Sequence, residues 1–354
     1  MPDLSRRSFG GLAAALVLDG CSQAWPKGAN GEEARLNFYN WDTYTGETTL
    51  GDFKAATGVD VRMSLFANND ELFSRLRAGN PGFDVIVPSN EFVTRLQLSG
   101  LLTPLDHARI PNMANLAPEF INAPYDPGRR WSMPYTWLVL GIGYRRSRVD
   151  GVPDSWKWAF DSARYSGRIG LFAESDDLIR LGAKYLGHSV NAVTPAIMNQ
   201  ISDMLIAQKP HVKLFHHDEG QDLLASGEID LVVEYNGDIA QVMAEDDDLA
   251  FVVPREGSLI NSDCLCIPAG APRPDNAHRF INFLLDAKVG AEIARTIRFP
   301  TPNAAALALM PAEYRTNPVI FPNGPGFARS EYGRFQGIGH IRAVEEAITR
   351  VMAA

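Results

Sequence analysis

The sequence predicts an α/β protein of two lobes, each a mainly parallel sheet flanked by helices, and three observations carry that prediction. Short apolar strands alternate with longer amphipathic helices, the order that feeds parallel strands and covers both sheet faces. The 354 residues are enough for two ordinary domains around separate cores. The alternation is made twice, with no short-period repeat and no low-complexity linker between the passes, so extended crossings are expected to join the lobes.

The first pass opens with a strand over residues 36–40. A helix from Thr48 to Thr57 stops at Gly58, since glycine takes the left-handed turn that ends a helix. Val59 to Ser64 is the next strand, Asn69 to Ala78 the next helix, and Asp84 to Ser89 a strand entering a loop. The second pass places a strand near Arg168 to Phe172, helices over residues 176–186 and 191–208, a strand over 212–215, a helix over 220–226 and a strand over 230–235. Crossings are expected at Leu138 to Tyr144, at Ile260 to Ile267 and near Thr301 to Leu307. Both lobes are then discontinuous, with residues 35–140 and 263–307 in the first and 141–262 and 308–354 in the second.

The amino terminus reads as an export signal over residues 1–24. Ser5-Arg6-Arg7-Ser8-Phe9 is a twin-arginine pattern, and the apolar run from Phe9 to Leu18 is too short to span a bilayer. Leu18-Asp19-Gly20-Cys21 has the form of a bacterial lipobox, which would make Cys21 a lipidated first residue, although Asp19 is unusual there. Cleavage after Ser22-Gln23-Ala24 would instead release a soluble protein without Cys21. On either reading the protein is expected in the periplasm, with a soluble body.

The formal net charge is −9, and removing the signal leaves it unchanged because Arg6 and Arg7 balance Asp3 and Asp19. Such a chain is not a nucleic-acid binder, and its acidity favours solubility and attraction of cations. Of the three cysteines, Cys264 and Cys266 lie two apart on an expected strand, so they share one face and read as small buried hydrophobes.

The most informative local feature is the turn after the first strand, Trp41-Asp42-Thr43-Tyr44. Its rings attract a positive nitrogen through their quadrupoles, and its carboxylate supplies opposite charge and acceptors. A turn at the carboxyl end of such a strand faces the crevice where open α/β sheets bind ligands. Phe215-His216-His217-Asp218-Glu219 is the best support for a metal protein, but adjacent histidines on a strand end point apart, and Asp218 reads as a helix cap. Hydrolase elbow, zincin pair and phosphate loop motifs do not occur, so no enzyme, metal or cofactor is expected.

An ordered series of short motifs then points to a family. Phe38-Tyr39-Asn40-Trp41, Val87-Pro88-Ser89, Ser132-Met133-Pro134-Tyr135, Tyr235-Asn236-Gly237, Asp263 with Ile267-Pro268, Ile281-Asn282-Phe283-Leu284-Leu285 and Pro300-Thr301-Pro302-Asn303 occur in the order found in polyamine-binding proteins. The chain resembles this spermidine/putrescine branch of the periplasmic receptors that feed ABC importers. The resemblance implies a type II periplasmic binding protein fold, a linear di- or polyamine held in a cleft between closing lobes, an inner-membrane permease as partner and a monomer. An exported receptor for another small cation is the alternative reading, with a metal protein or enzyme on the same fold behind it.

Carried residue by residue, the resemblance assigns Trp41, Thr43 and Tyr44 to one wall, with the acid at Asp42 rather than at Thr43. It assigns Ser89 to the site, and places Glu91 where a tyrosine is common. From the second lobe it brings Glu174, Asp177, Tyr235 and Asp238, and it adds Asp263, Phe299 and Gln336. Asn261 departs from the aromatic expected at its position. Asp238 follows Asn236-Gly237 as in putrescine-preferring members, so a short dication is the favoured ligand. The chemistry is consistent: ammonium groups at fixed spacing need Glu174, Asp177, Asp238 and Asp263, and the methylenes between them need Trp41, Tyr44, Tyr235 and Phe299.

Overall fold

The computed structural model describes residues 27–28, 31–217 and 219–354. The segment 1–24 with its expected lipidation at Cys21, and the cap expected at Asp218, lie outside the described residues. The described strands are β1 (Arg35–Asn40), β2 (Asp60–Leu65), β3 (Val85–Ile86), β4 (Leu102–Thr103), β5 (Ser132–Arg145), β6 (Ile169–Phe172), β7 (Val212–His216), β8 (Leu231–Tyr235), β9 (Leu249–Val252), β10 (Leu259–Pro268) and β11 (Glu331–Tyr332).

They join in the order β2-β1-β3-β10-β5-β8-β6-β7, with β4 and β11 on β10 and β9 on β5. The strands of the alternating units run parallel, β2 and β3 against β1, and β7 and β8 against β6. The long strands β5 and β10 are antiparallel to each other and carry the chain between the two halves. Along β5, residues from Ser132 to Val139 pair with β10, whereas Leu140 to Arg145 pair with β8 and β9. The expected crossing at Leu138 to Tyr144 is thus a single strand that changes partners. β10 does the same, meeting β11 at Leu259 and Ile260 and β3 and β4 from Cys266 onward.

The buried apolar side chains form separate cores on either side of this change of partners. One gathers Phe38, Phe53, Val85, Leu265, Phe280 and Ile297, and another gathers Ile142, Trp156, Leu171, Leu181, Ile201, Val233 and Val351. Tyr235 packs against both. Cys264 and Cys266 are free thiols buried together beside Tyr39 and Ile86, on one face as the strand period requires.

Helix ends follow local chemistry. Gly58, at φ 74°, closes the helix Thr49–Thr57 by donating its N–H to the Lys54 carbonyl at 2.8 Å. Asn68 caps the helix Asn69–Arg77 by accepting from the Glu71 N–H at 2.9 Å. Three expectations are corrected. The helix expected from Asn191 begins at Pro195, because the Thr194 side chain caps it and proline suits its first turn. The strand expected over residues 84–89 is continuous only at Val85–Ile86, since Pro88 has no N–H to offer a ladder, and beyond it the Pro88 carbonyl accepts from the Cys264 N–H and Ser89 forms an isolated bridge with Asp263. The third expected crossing, near Thr301 to Leu307, is not an extended strand: the chain turns helical over Ala304–Leu309, where Asn303 caps an alanine- and leucine-rich run.

Candidate ligand-binding cleft

The residues that follow β1, β3, β6 and β8 converge on a cavity of about 440 Å³. They lie at the carboxyl ends of parallel strands, where this class of sheet leaves a crevice. Every site residue expected from the sequence lines it: Trp41, Asp42, Thr43, Tyr44, Ser89, Glu91, Glu174, Asp177, Tyr235, Asp238, Asp263, Phe299 and Gln336. Among the described lining residues ten are Asp or Glu and one, Arg95, is a permanent cation; Arg95 pairs with Asp70 at 2.7 Å. Such a wall attracts cations.

Asp263 sits at the centre of the first-half wall. It is buried on β10, and hydroxyls hold both its oxygens: Tyr44 Oη donates to Oδ2 and Ser89 Oγ donates to Oδ1, each at 2.8 Å. Ser89 is itself fixed by Asn69, which accepts from its N–H and donates to its hydroxyl, both at 3.0 Å. Tyr44 also bonds Thr136, and its ring meets Phe299 edge to face at 5.3 Å. Burial raises the Asp263 carboxyl to about 6, against the lowering pull of Ser89 and Tyr44.

Asp177 is the counterpart in the second half. It lies in the first turn of the helix Ser175–Tyr185, accepts from Tyr235 Oη at 2.8 Å and is approached by Asn261 Nδ2 at 3.4 Å. Asn261 also donates to Tyr235 Oη at 3.0 Å, so an amide organises the acid where the resemblance expects a ring. Burial, reinforced by Asp176 and Glu174, raises Asp177 to about 7 although Tyr235 pulls it down. Both carboxylates are therefore costly to ionise alone and gain most from a cation brought by a ligand.

The other expected residues take graded positions. Trp41 donates its indole N–H to the Val87 carbonyl at 2.9 Å, which fixes the ring at the cleft wall. Asp42 and Thr43 are exposed at the mouth, with Thr43 at φ 47° and its N–H donated to Asp42 Oδ1 at 2.8 Å. Glu174 is half-buried at the rim, with His217 Nδ1 3.4 Å away. Asp238 stands in the first turn of the helix Asn236–Val242. Phe299 is buried against Gly237, where any side chain would overlap its ring. Gln336 reaches back to the Val190 carbonyl at 3.4 Å. Glu91 accepts from Arg180 Nη2 at 2.8 Å.

His216 and His217 do part as the strand geometry requires. His216 is buried with its Nε2 3.1 Å from the Val233 carbonyl, whereas His217 is exposed. Burial drives the His216 imidazole down to about 4. Sequence reasoning missed Asn69, Thr136 and Arg180. Asn69 read as a helix start, and the other two reach the site only through contacts distant in sequence.

Residues 49–322 match the family described as bacterial extracellular solute-binding proteins. The chain is 30% identical over 332 residues to a putrescine/cadaverine-binding protein of Pseudomonas aeruginosa, covering 90% of this chain and 92% of that one. It is 31% identical to a putrescine-binding periplasmic protein of Escherichia coli, covering 82% and 84%. Its fold matches a solved putative spermidine/putrescine ABC transporter protein of Listeria monocytogenes with TM-score 0.86 and 30% identity, over 90% of this chain and 99% of that one. With a two-lobed type II architecture and an acidic interlobe cleft, this chain belongs to the bacterial extracellular solute-binding protein family.

Proposed function

We propose that this chain is the substrate-binding receptor of a polyamine ABC importer, taking a linear di- or polyamine into the cleft and presenting it to an inner-membrane permease. The observation that carries this reading is the pair of shielded carboxylates, Asp177 and Asp263, held by hydroxyls and an amide and framed by Trp41, Tyr44, Tyr235 and Phe299. A dication satisfies both charges at once, and the rings cover its methylenes. The names of the relatives support the same ligand class.

Asp238 and Asn261 favour a short diamine of the putrescine kind, because one adds an acid in the cleft and the other removes a stem-covering ring. The lobes are assigned as residues 35–140 with 263–307 and 141–262 with 308–354, in keeping with the two cores. Export by the twin-arginine route, with Cys21 lipidated, would deliver the receptor to the periplasm as a monomer. Isothermal titration of the mature protein against putrescine, cadaverine, spermidine, agmatine, amino acids and sugars tests the reading. Micromolar or tighter binding of a linear amine is expected; heat only from an amino acid or sugar would overturn it.

A further inference from the structure

Glu91 and Arg180, 89 residues apart in the chain, meet at the cleft. Glu91 stands in the first turn of the helix Asn90–Leu98, two residues beyond Ser89 and its bond to Asp263. Arg180 stands on the helix Ser175–Tyr185, almost one turn beyond Asp177. The pair thus joins the two acidic walls at one end.

Arg180 is fully buried and has little freedom to leave. Its Nη2 donates to Glu91 Oε2 at 2.8 Å, to Asp176 Oδ2 at 3.0 Å and to the Arg334 carbonyl at 2.9 Å. Its Nη1 donates to the Val190 carbonyl at 3.0 Å and to Asn191 Oδ1 at 3.1 Å. A guanidinium held by this many acceptors is a fixed internal cation. Glu91 packs over Gly333, where an added side chain would collide with its carboxylate. Glu91 lines the cavity, but the protein already supplies its counter-charge.

We infer that Arg180 is a specificity-determining residue: it occupies, from within the protein, the position on Glu91 that a third ligand ammonium would take, and so limits the cleft to dications. The inference rests on the amine-receptor reading. An amine with only two charges pairs with Asp177 and Asp263 and leaves the Glu91–Arg180 pair intact. A third ammonium entering that end meets a desolvated guanidinium, and selectivity arises from this repulsion as well as from the acids that attract.

The test separates charge from length. N-butyl-1,4-diaminobutane has the length and inner spacing of spermidine, with a methyl group in place of the terminal ammonium. In competition titrations on the wild-type mature protein, it is expected to bind at least about tenfold more tightly than spermidine, since only spermidine sets like charges together. Equal affinities, or a preference for spermidine, would overturn the inference. In the variant Arg180→Gln, checked for folding by circular dichroism and melting, the spermidine-to-putrescine affinity ratio should rise at least about tenfold, and adding Glu91→Gln should bring it back toward the wild-type ratio. A folded Arg180→Gln protein with an unchanged ratio would also overturn it. Should no amine bind the wild type, the receptor reading itself fails; should amines bind with the wrong charge preference, only the role of Arg180 fails.

Discussion

Asp263 receives its two hydrogen bonds from a phenol and a serine hydroxyl, an arrangement that positions the carboxylate without neutralising it. Replacing it by Asn keeps the shape and removes the charge a buried ammonium needs. Asp263→Asn is therefore expected to weaken diamine binding by about 2–5 kcal/mol while the variant folds normally; a titration with unchanged affinity would remove Asp263 from the ligand contacts. The raised acids also set a pH dependence. Burial holds Asp177 up to about 7 and Asp263 up to about 6, both above the usual carboxylate range. As pH falls through those values the unliganded receptor takes up protons that a diamine must displace. Affinity should fall by up to about tenfold per pH unit for each protonated acid, with proton release on binding measurable in buffers of different ionisation heat. A flat affinity between about pH 5 and pH 8 would contradict the raised values. Tyr44 and Ser89 were legible as polar groups following strand ends and Asp177 as an acid at a helix start, whereas Asp263, in the interior of β10, was assigned to the site only through the family resemblance. Arg180 was not legible, since it sits mid-helix and its partner Glu91 is defined only by how the two halves meet.

At the scale of elements, the order of strands and helices was readable from periodicity and stop signals, and the ends were less so. Gly58 marks its helix end by a left-handed conformation that most residues avoid. The start at Pro195 was missed because residues 191–194 continue a plausible helical composition, and only the Thr194 side chain bond fixes the boundary. β3 was read too long because Val87 and Pro88 extend an apolar run without a ladder partner for proline. Gly237 shows how an element end serves the cleft: it opens the helix Asn236–Val242 and lets the Phe299 ring lie directly against the backbone. Gly237→Ala should push that ring aside and cost about 1–3 kcal/mol of stability, as overpacking in a filled site does. Urea unfolding with an unchanged midpoint and slope would show that the helix start can move away at no cost.

At the scale of the whole molecule, β5 and β10 carry the connections between the halves, and the two acidic walls face each other across them. Asp177 and Asp263 both act on the Tyr235 phenol, so bringing the walls together concentrates negative charge around one ring. Like charges in a shielded site oppose that approach, and a ligand can drive it only through contacts that are better in the closed form than in the open one. A dication supplies such contacts by pairing with both acids at once. The closed arrangement is then held from the ligand side by Asp177 and Asp263 and from the protein side by Glu91 and Arg180. The unliganded receptor is expected to populate an open form in solution and to contract when putrescine is added, seen as a smaller radius of gyration in small-angle X-ray scattering. If mutual repulsion of the acids is what keeps it open, the variant Asp177→Asn with Asp263→Asn should already be compact without ligand and should show little further contraction. A double variant as extended as the unliganded wild type would place the opening force in the hinge strands rather than in the cleft charge.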